Sequence, residues 1–359
     1  MSDRENEPQA PVADRRLDWV DGAKGVGIAL VIYGHAISGM RDAGLLSFGG
    51  GWVASGYFIY TFHMPLFFFL SGLFVRRRAA RPQATFLRSL LVDLGWPYLV
   101  WALICALSMA LAARYANRPV EHWSFMELVA VLWRPPGYMW FLFALIAYHL
   151  ATYYLLRWLG KWALLVISVC AYTLPVAREA DPKILWIGLH FFLFYAAGVC
   201  TGPEIGRSLA LIKRPAPAGI GVAAVWAAAS AWAYSHGAYY WAPTVLTAAV
   251  AGSALVLIPL ARLRNVSPIL IYLGRRSLPL YLMHVLFISG ARIALDKLLG
   301  VHEVALILPV LLLVGFSGPL LVFETADRIG LTRIAGLGPS VRRVDGKRMR
   351  SVEGQVPAV

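Results

Sequence analysis

The stretch Asp21-Gly22-Ala23-Lys24-Gly25-Val26-Gly27-Ile28-Ala29-Leu30-Val31-Ile32-Tyr33-Gly34-His35-Ala36-Ile37-Ser38-Gly39-Met40 decides the fold class. About 20 apolar residues in a helix cross the hydrocarbon core of a bilayer. The run is too long for a signal-peptide core and lacks a small-residue cleavage site, so it reads as a retained span. Working outward, comparable runs recur near 56–75, 90–112, 139–157, 160–176, 184–201, 217–235, 242–260, 275–294 and 304–324. The composition agrees: 59% of the 359 residues are hydrophobic, 14% are charged, and the mean hydropathy is +0.64. Soluble domains carry about a quarter charged residues. The expected fold is all-α, a polytopic transmembrane bundle of about ten spanning helices with both termini cytoplasmic.

Lysine and arginine set that orientation. With the N-terminus inside, 25 of the 33 basic residues fall in inside segments, including Arg76–Arg78, Arg157, Lys161, Arg207, Arg262 and Arg275–Arg276. The outside loops hold the other eight, among them Arg41, Arg134 and Arg292. The net charge of +14 therefore reads as basic cytoplasmic loops and not as a nucleic-acid surface. The organisation expected is a disordered cytoplasmic N-terminus over 1–20, a transmembrane domain over 21–326 and a basic cytoplasmic tail over 327–359. The longest outside segment, 113–138, carries Trp123, Trp133 and Pro135-Pro136. Cys105, Cys170 and Cys200 lie in apolar runs without metal or disulfide spacing and read as small buried hydrophobes. No metal site is expected.

Ionisable groups inside a membrane are costly, and they mark function unless a partner satisfies them. Lys24, His35, His63, Asp93, His149, His190, His284 and Glu324 sit at or within the spans. For His149 and His190 the plain reading is an imidazole hydrogen-bonded between helices. Lys24 and His35 are eleven residues apart, which is nearly three turns, so they share a helix face with roughly 16 Å between them. Lys24 then marks the cytoplasmic entrance, with Asp21 one turn before it as a possible ion-pair partner, and His35 lies past the midplane. His63, on the next helix, reaches a similar depth, so the two imidazoles could line one cavity. Pro65 frees a backbone carbonyl beside His63, a break tolerated where it lines a protein cavity. Ser71-Gly72 could equally be a close-packing pair of small residues.

Four stretches carry a family resemblance: Asp21 to Ile28 with Tyr33-Gly34-His35; Phe62-His63-Met64-Pro65 through Ser71-Gly72; Trp140-Phe141-Leu142; and Leu273-Gly274-Arg275-Arg276-Ser277-Leu278 with Tyr281-Leu282-Met283-His284. Together they resemble the acyltransferase 3 family of membrane-bound O-acyltransferases, with the fucose 4-O-acetylase-like branch as the nearest group. The resemblance implies transfer of an acyl group, acetyl above all, from cytoplasmic acyl-CoA to a hydroxyl of a glycan or glycolipid at the outer side. The setting would be the inner (plasma) membrane, with acetyl-CoA a donor substrate and no permanently bound cofactor. His35 would be the general base, with His63 and Ser71 as further catalytic candidates. Lys24, Arg76, Arg77, Arg78 and Arg88 would hold the donor, and Trp140, Tyr281 and His284 the acceptor. The chain departs from the family pattern before Pro97-Tyr98: instead of paired arginines it has Arg88 alone, and Asp93 intrudes. Arg76, Arg77, Arg78 and Arg81 are the available substitutes.

The chemistry is compatible residue by residue. Acyl transfer to an alcohol needs a base for the hydroxyl proton, which histidine supplies near neutral pH. It also needs donors for the developing oxyanion, and His63, Ser71 or Tyr281 could serve. A basic rim would attract the phosphates of CoA. Two other readings stay open: a transporter or flippase using intramembrane His and Lys as a proton relay, and a sensor or scaffold without chemistry. No inverted repeat of the kind transporters often show is visible.

Overall fold

The computed structural model describes residues 12–47, 49–111, 129–174, 183–212 and 215–338. Among these residues every regular element is helical. Eight helices are long and apolar enough to cross a membrane: Asp18–Asp42, Gly51–Gly72, Gln83–Leu111, Gly137–Trp158, Pro217–Ser235, Pro243–Arg262, Ser277–Leu298 and Val304–Arg328. Two shorter apolar helices among the described residues, Gly160–Thr173 and Gly188–Thr201, fall at the other two apolar runs.

Two of the long segments are interrupted, each for a reason written in the chain. The second consists of Gly51–Tyr60 and His63–Gly72 with a break at Thr61-Phe62. Pro65 has no N–H, and its ring would collide with the carbonyl four residues back, so the helix restarts instead of continuing. The Ile59 carbonyl at the break accepts from the Phe62 N–H (3.2 Å) and from His63 Nδ1–H (2.9 Å). The third segment widens into a single π turn over Leu91–Gly95, immediately before Pro97 removes another donor. Asp93 sits on that turn and binds Arg78 at 2.6 Å.

Close helix crossings hold the bundle, and they fall at glycines, as expected where apolar lipid leaves packing to drive association. Gly72 lies on the backbone of Tyr195, and Gly198 lies on the backbone of Phe69, so the second and sixth segments touch main chain to main chain. Gly25 meets the Leu270 backbone, and Gly274 meets that of Asp21, pressing the first helix onto the short helix Pro268–Arg275. Of the two readings open for Ser71-Gly72, close packing thus holds for Gly72.

Ion pairs and side-chain-to-carbonyl bonds tie one end of the bundle, called here the basic end. Arg275 binds Asp21 (3.1 Å) and Asp18 (3.6 Å), Arg276 binds Glu324 (2.7 Å), and Arg157 reaches the Arg81 carbonyl (3.4 Å). Arg262 donates to the carbonyls of Ala210 and Ile212. The opposite end carries a smaller cluster in which the buried Asp296 meets Arg292 (3.7 Å), Lys297 (3.3 Å) and His302 (3.2 Å).

Packing continues on both sides of residues 21–326. The first helix begins at Val12, not after residue 20, and Trp19 and Val20 are buried. An apolar pair one helical turn before Lys24 extends the buried surface, which the polar, proline-containing leader concealed. After the tenth helix, residues 329–338 turn back beneath the third. Trp96 Nε1 donates to the carbonyls of Arg333 and Ile334 at 3.0 Å each, Trp101 Nε1 donates to that of Ala335 at 2.9 Å, and Leu337 is buried. Most of the 113–138 loop, including Trp123, lies outside the described residues, as do the basic residues from Arg342 to Arg350. The cysteine reading needs one correction: Cys105 is buried and Cys200 half-buried, but Cys170 is exposed on its apolar helix.

Gly72→Leu is expected to remove most of the folded protein, because any side chain there enters the Tyr195 backbone. Gly290→Leu, which meets nothing within 4 Å, is expected to be tolerated. Monodisperse protein recovered by size-exclusion chromatography from detergent extracts checks both.

Candidate active site

A cavity of 240 Å³ opens among the first, second, third, fourth and ninth segments, and all four motif stretches converge on it. The first helix contributes Lys24, Val31 and His35, at spacings of seven and four residues that keep one face turned inward. The restarted half of the second contributes Met64, Phe67 and Ser71, again a single face. Trp140, Phe141 and Leu142 form another wall, and Ser277, Leu278 and Tyr281 close it. Leu94, on the π turn, Tyr138 and Leu145 also line it, at positions that sequence reasoning had not singled out.

Tyr138 was legible only in hindsight. It lies in a short 3₁₀ turn, Gly137–Met139, that Gly137 enters with φ of +50°. Its hydroxyl donates to the Leu282 carbonyl (2.6 Å), while the Tyr281 hydroxyl donates to the Tyr138 carbonyl (2.5 Å). This reciprocal pair locks the turn onto the ninth helix, with both hydroxyls satisfied by backbone. The Tyr281 hydroxyl is therefore already committed as a donor, and the ring is what faces the cavity. Ser71 lines the cavity while its hydroxyl donates to the Phe67 carbonyl at 2.8 Å. It keeps lone pairs, but its proton is engaged.

The histidines separate into two kinds. His63 donates from Nδ1 to the Ile59 carbonyl, His149 to that of Leu145 (2.8 Å), His236 to that of Trp232 (2.8 Å), and His284 to that of Leu280 (3.0 Å). In each case the acceptor is four residues back on the chain. An imidazole held this way presents a satisfied edge to its own backbone. His35 departs from the pattern. Among the described residues it has no hydrogen bond, only ring contacts with His284 (5.0 Å between centroids), Tyr138 (6.1 Å) and Tyr60 (6.4 Å). Both its nitrogens are free for chemistry.

The expectation that His35 and His63 line one cavity is met by His35 only. His63 is 1% exposed, packs on Tyr60 at 4.8 Å and is not part of the lining. The imidazole packed on His35 is His284. His149 and His190 are buried, at 6% and 2%; His149 faces Tyr195 and His190 faces Tyr172.

Lys24 lines the cavity at the basic end, and among the described residues no carboxylate lies within ion-pair distance of it. Asp21, which the spacing offered as a partner, is bound by Arg275 and acts on Lys24 only through longer-range attraction. The cations around the entrance are similarly matched: Arg78 to Asp93 and Ser89, Arg275 to Asp18 and Asp21, and Arg276 to Glu324. Arg76, Arg77 and Arg88 are exposed and, like Arg78, outside the cavity lining. An ammonium without an ion-pair partner inside an apolar chamber is costly unless something polar meets it.

The fold and the chamber thus describe a multi-pass membrane protein with a largely apolar cavity that holds a lysine and an unengaged histidine. Residues 17–323 match the family model described as "Acyltransferase domain", and the chain belongs to that family, acyltransferase 3. No curated protein and no solved structure matches the chain. The protein is a membrane acyltransferase.

His35→Ala is expected to abolish acyl transfer while the protein still folds, because no hydrogen bond is lost with the ring. A general base contributes about 10²–10⁴-fold. Retention of more than about a tenth of wild-type turnover by a variant with an unchanged size-exclusion profile would remove His35 from the reaction.

Proposed function

We propose that the protein is an O-acyltransferase that moves an acyl group, acetyl above all, from cytoplasmic acyl-CoA to a hydroxyl of a glycan or glycolipid at the outer face of the inner membrane. The observation that carries this reading is that Lys24 and His35 line the same cavity, one at the basic end and one deep inside. The charge asymmetry supports a cytoplasmic setting for that basic end. An anionic CoA would dock there, where Lys24 is the cation without a carboxylate. Its pantetheine arm would follow the apolar wall of Phe67, Phe141 and Leu142 inward, and the thioester would come to rest beside His35. The apolar lining suits a short acyl chain and excludes water, which limits hydrolysis.

The transfer itself balances simply. The acceptor hydroxyl gives its proton to His35 as its oxygen bonds the thioester carbonyl carbon. The carbon–sulfur bond then breaks, and the proton held by His35 goes to the departing thiolate, releasing CoA as the free thiol. Acyl transfer of this kind develops negative charge on the carbonyl oxygen, which requires donors. The Ser71 hydroxyl would serve if it rotated away from the Phe67 carbonyl. Trp140, whose ring lies on Phe191 at 5.5 Å, and Tyr281 supply flat aromatic surface of the kind sugars stack on. That a fucose 4-O-acetylase-like enzyme acts on such acceptors fits this wall. Only the acyl group need cross the membrane.

Lys24→Ala is expected to raise the KM for acetyl-CoA, with a smaller loss of kcat once the donor saturates, because a cation at the entrance acts on binding and not on the proton. Steady-state kinetics at varied acetyl-CoA checks this, and a pure loss of kcat at unchanged KM would assign Lys24 to the chemistry or to the fold. Sidedness is tested in oriented vesicles with the acceptor sealed on the outer-face side. Labelled acetyl-CoA supplied to the cytoplasmic face is expected to label it. Equal transfer from donor supplied on the outer face would overturn the through-membrane reading.

A further inference from the structure

We propose that His284 is the positioning partner of His35, an uncharged counterpart of the carboxylate that orients a catalytic histidine elsewhere. The proposal rests on the reading of His35 as base. His284 is fully buried, on the ninth helix, and lies behind His35 as seen from the cavity: His35 belongs to the lining and His284 does not. Their rings are 5.0 Å apart at 60°.

The tautomer of His284 is set by its own helix. Nδ1 lies 3.0 Å from the Leu280 carbonyl and 2.8 Å from that of Tyr281, and a carbonyl only accepts, so Nδ1 carries the proton. Nε2 is then a bare lone pair on the opposite edge of the ring. In the structure it is buried and has no hydrogen-bond partner. A buried acceptor left unmatched is costly, and among the buried atoms without a hydrogen-bond partner this one belongs to the ring packed on the proposed base. The neighbouring imidazole with unengaged N–H capacity is His35. When one nitrogen of His35 donates to His284 Nε2, the other is left as a lone pair facing the cavity. That is the tautomer a base needs. As His35 takes the acceptor's proton, its remaining N–H to Nε2 becomes charge-assisted and steadies the imidazolium.

The choice of histidine follows from the medium. A carboxylate held at this depth would carry a desolvation penalty of several kcal/mol whenever His35 is neutral. A neutral imidazole is far cheaper to bury and still offers one strong acceptor. Tyr138, 5.4 Å from the His284 ring and 6.1 Å from that of His35, packs against both and fixes their spacing. The substrate-binding role that the sequence motif suggested for His284 gives way here to one exerted through His35.

The test uses the full-length protein in nanodiscs, with acetyl-CoA as donor and release of the free CoA thiol as the readout, normalised to monodisperse protein. His284→Leu keeps volume and removes the acceptor; His284→Gln keeps an acceptor near the place of Nε2. Expected for His284→Leu is a fall in kcat of at least about tenfold with the KM for acetyl-CoA within about twofold, largely recovered in His284→Gln. In a His35→Ala background, His284→Leu is expected to cost nothing further, since residues acting as a unit are not additive. Wild-type kcat in His284→Leu, a raised KM at unchanged kcat, an equal loss in both variants, or additive losses with His35→Ala would each overturn the proposal. Full activity in His35→Ala alone would instead remove the base reading, and the two failures are distinguishable.

Discussion

The contact on which the site depends is the crossing of the first helix over Pro268–Arg275. Gly25 and Gly274 let the two backbones meet, and Asp21 with Arg275 closes the crossing at the basic end. This fixes both the rotation and the depth of the first helix. Rotation matters because Lys24, Val31 and His35 share only one face, and a turn of some tens of degrees would aim it at another helix or at lipid. Depth matters because His35 must fall level with Tyr138 and His284. The same short helix leads directly into Ser277, Leu278 and Tyr281, so one crossing positions two walls of the cavity.

A low-dielectric interior imposes the second constraint. Every buried polar atom needs a partner, and this chain meets the demand with few resources. Tyrosine hydroxyls go to backbone carbonyls, as at Tyr138 and Tyr281, and histidines return Nδ1 to the carbonyl four residues back. The Pro65 break is useful here, since it exposes the Ile59 carbonyl that His63 then covers. Against so uniform a background, the exceptions carry information. At or just behind the cavity wall they are the ammonium of Lys24, both nitrogens of His35 and the Nε2 of His284; elsewhere the indole Nε1 of Trp19 and that of Trp226 are also buried without a hydrogen-bond partner.

How much of this the sequence disclosed follows from what periodicity can report. Ten apolar runs were legible because hydropathy is a property of each segment alone. The shared face of Lys24 and His35 was legible because both lie on one unbroken helix, where 3.6 residues per turn fixes their relation. His63 was placed beside His35 by depth alone, and depth does not give rotation. The break at Thr61-Phe62 turns His63 toward Tyr60, while the facing imidazole comes from a helix more than two hundred residues away. Trp19 and Val20, and the returning segment 329–338, were hidden because polar neighbours masked a few apolar anchors that only tertiary packing reveals.

The intruding acidic residue before Pro97-Tyr98 takes its meaning from the same accounting. Asp93 lies on the π turn beside Leu94, which lines the cavity, and it holds Arg78 at 2.6 Å. Arg275 and Arg276 are held just as firmly by Asp18, Asp21 and Glu324. A net charge of +14 would suggest an entrance crowded with free cations. The structure shows the inner ones neutralised in pairs, which serve to fasten helix ends. Among the described residues, what remains in the chamber lining is one ammonium without an ion-pair partner. A single buried cation of this kind draws an anionic ligand to one point, whereas a ring of free arginines would hold it anywhere along the rim. On the proposed reading Lys24 is where charge selects position, eleven residues along one helix face from the imidazole that would do the chemistry.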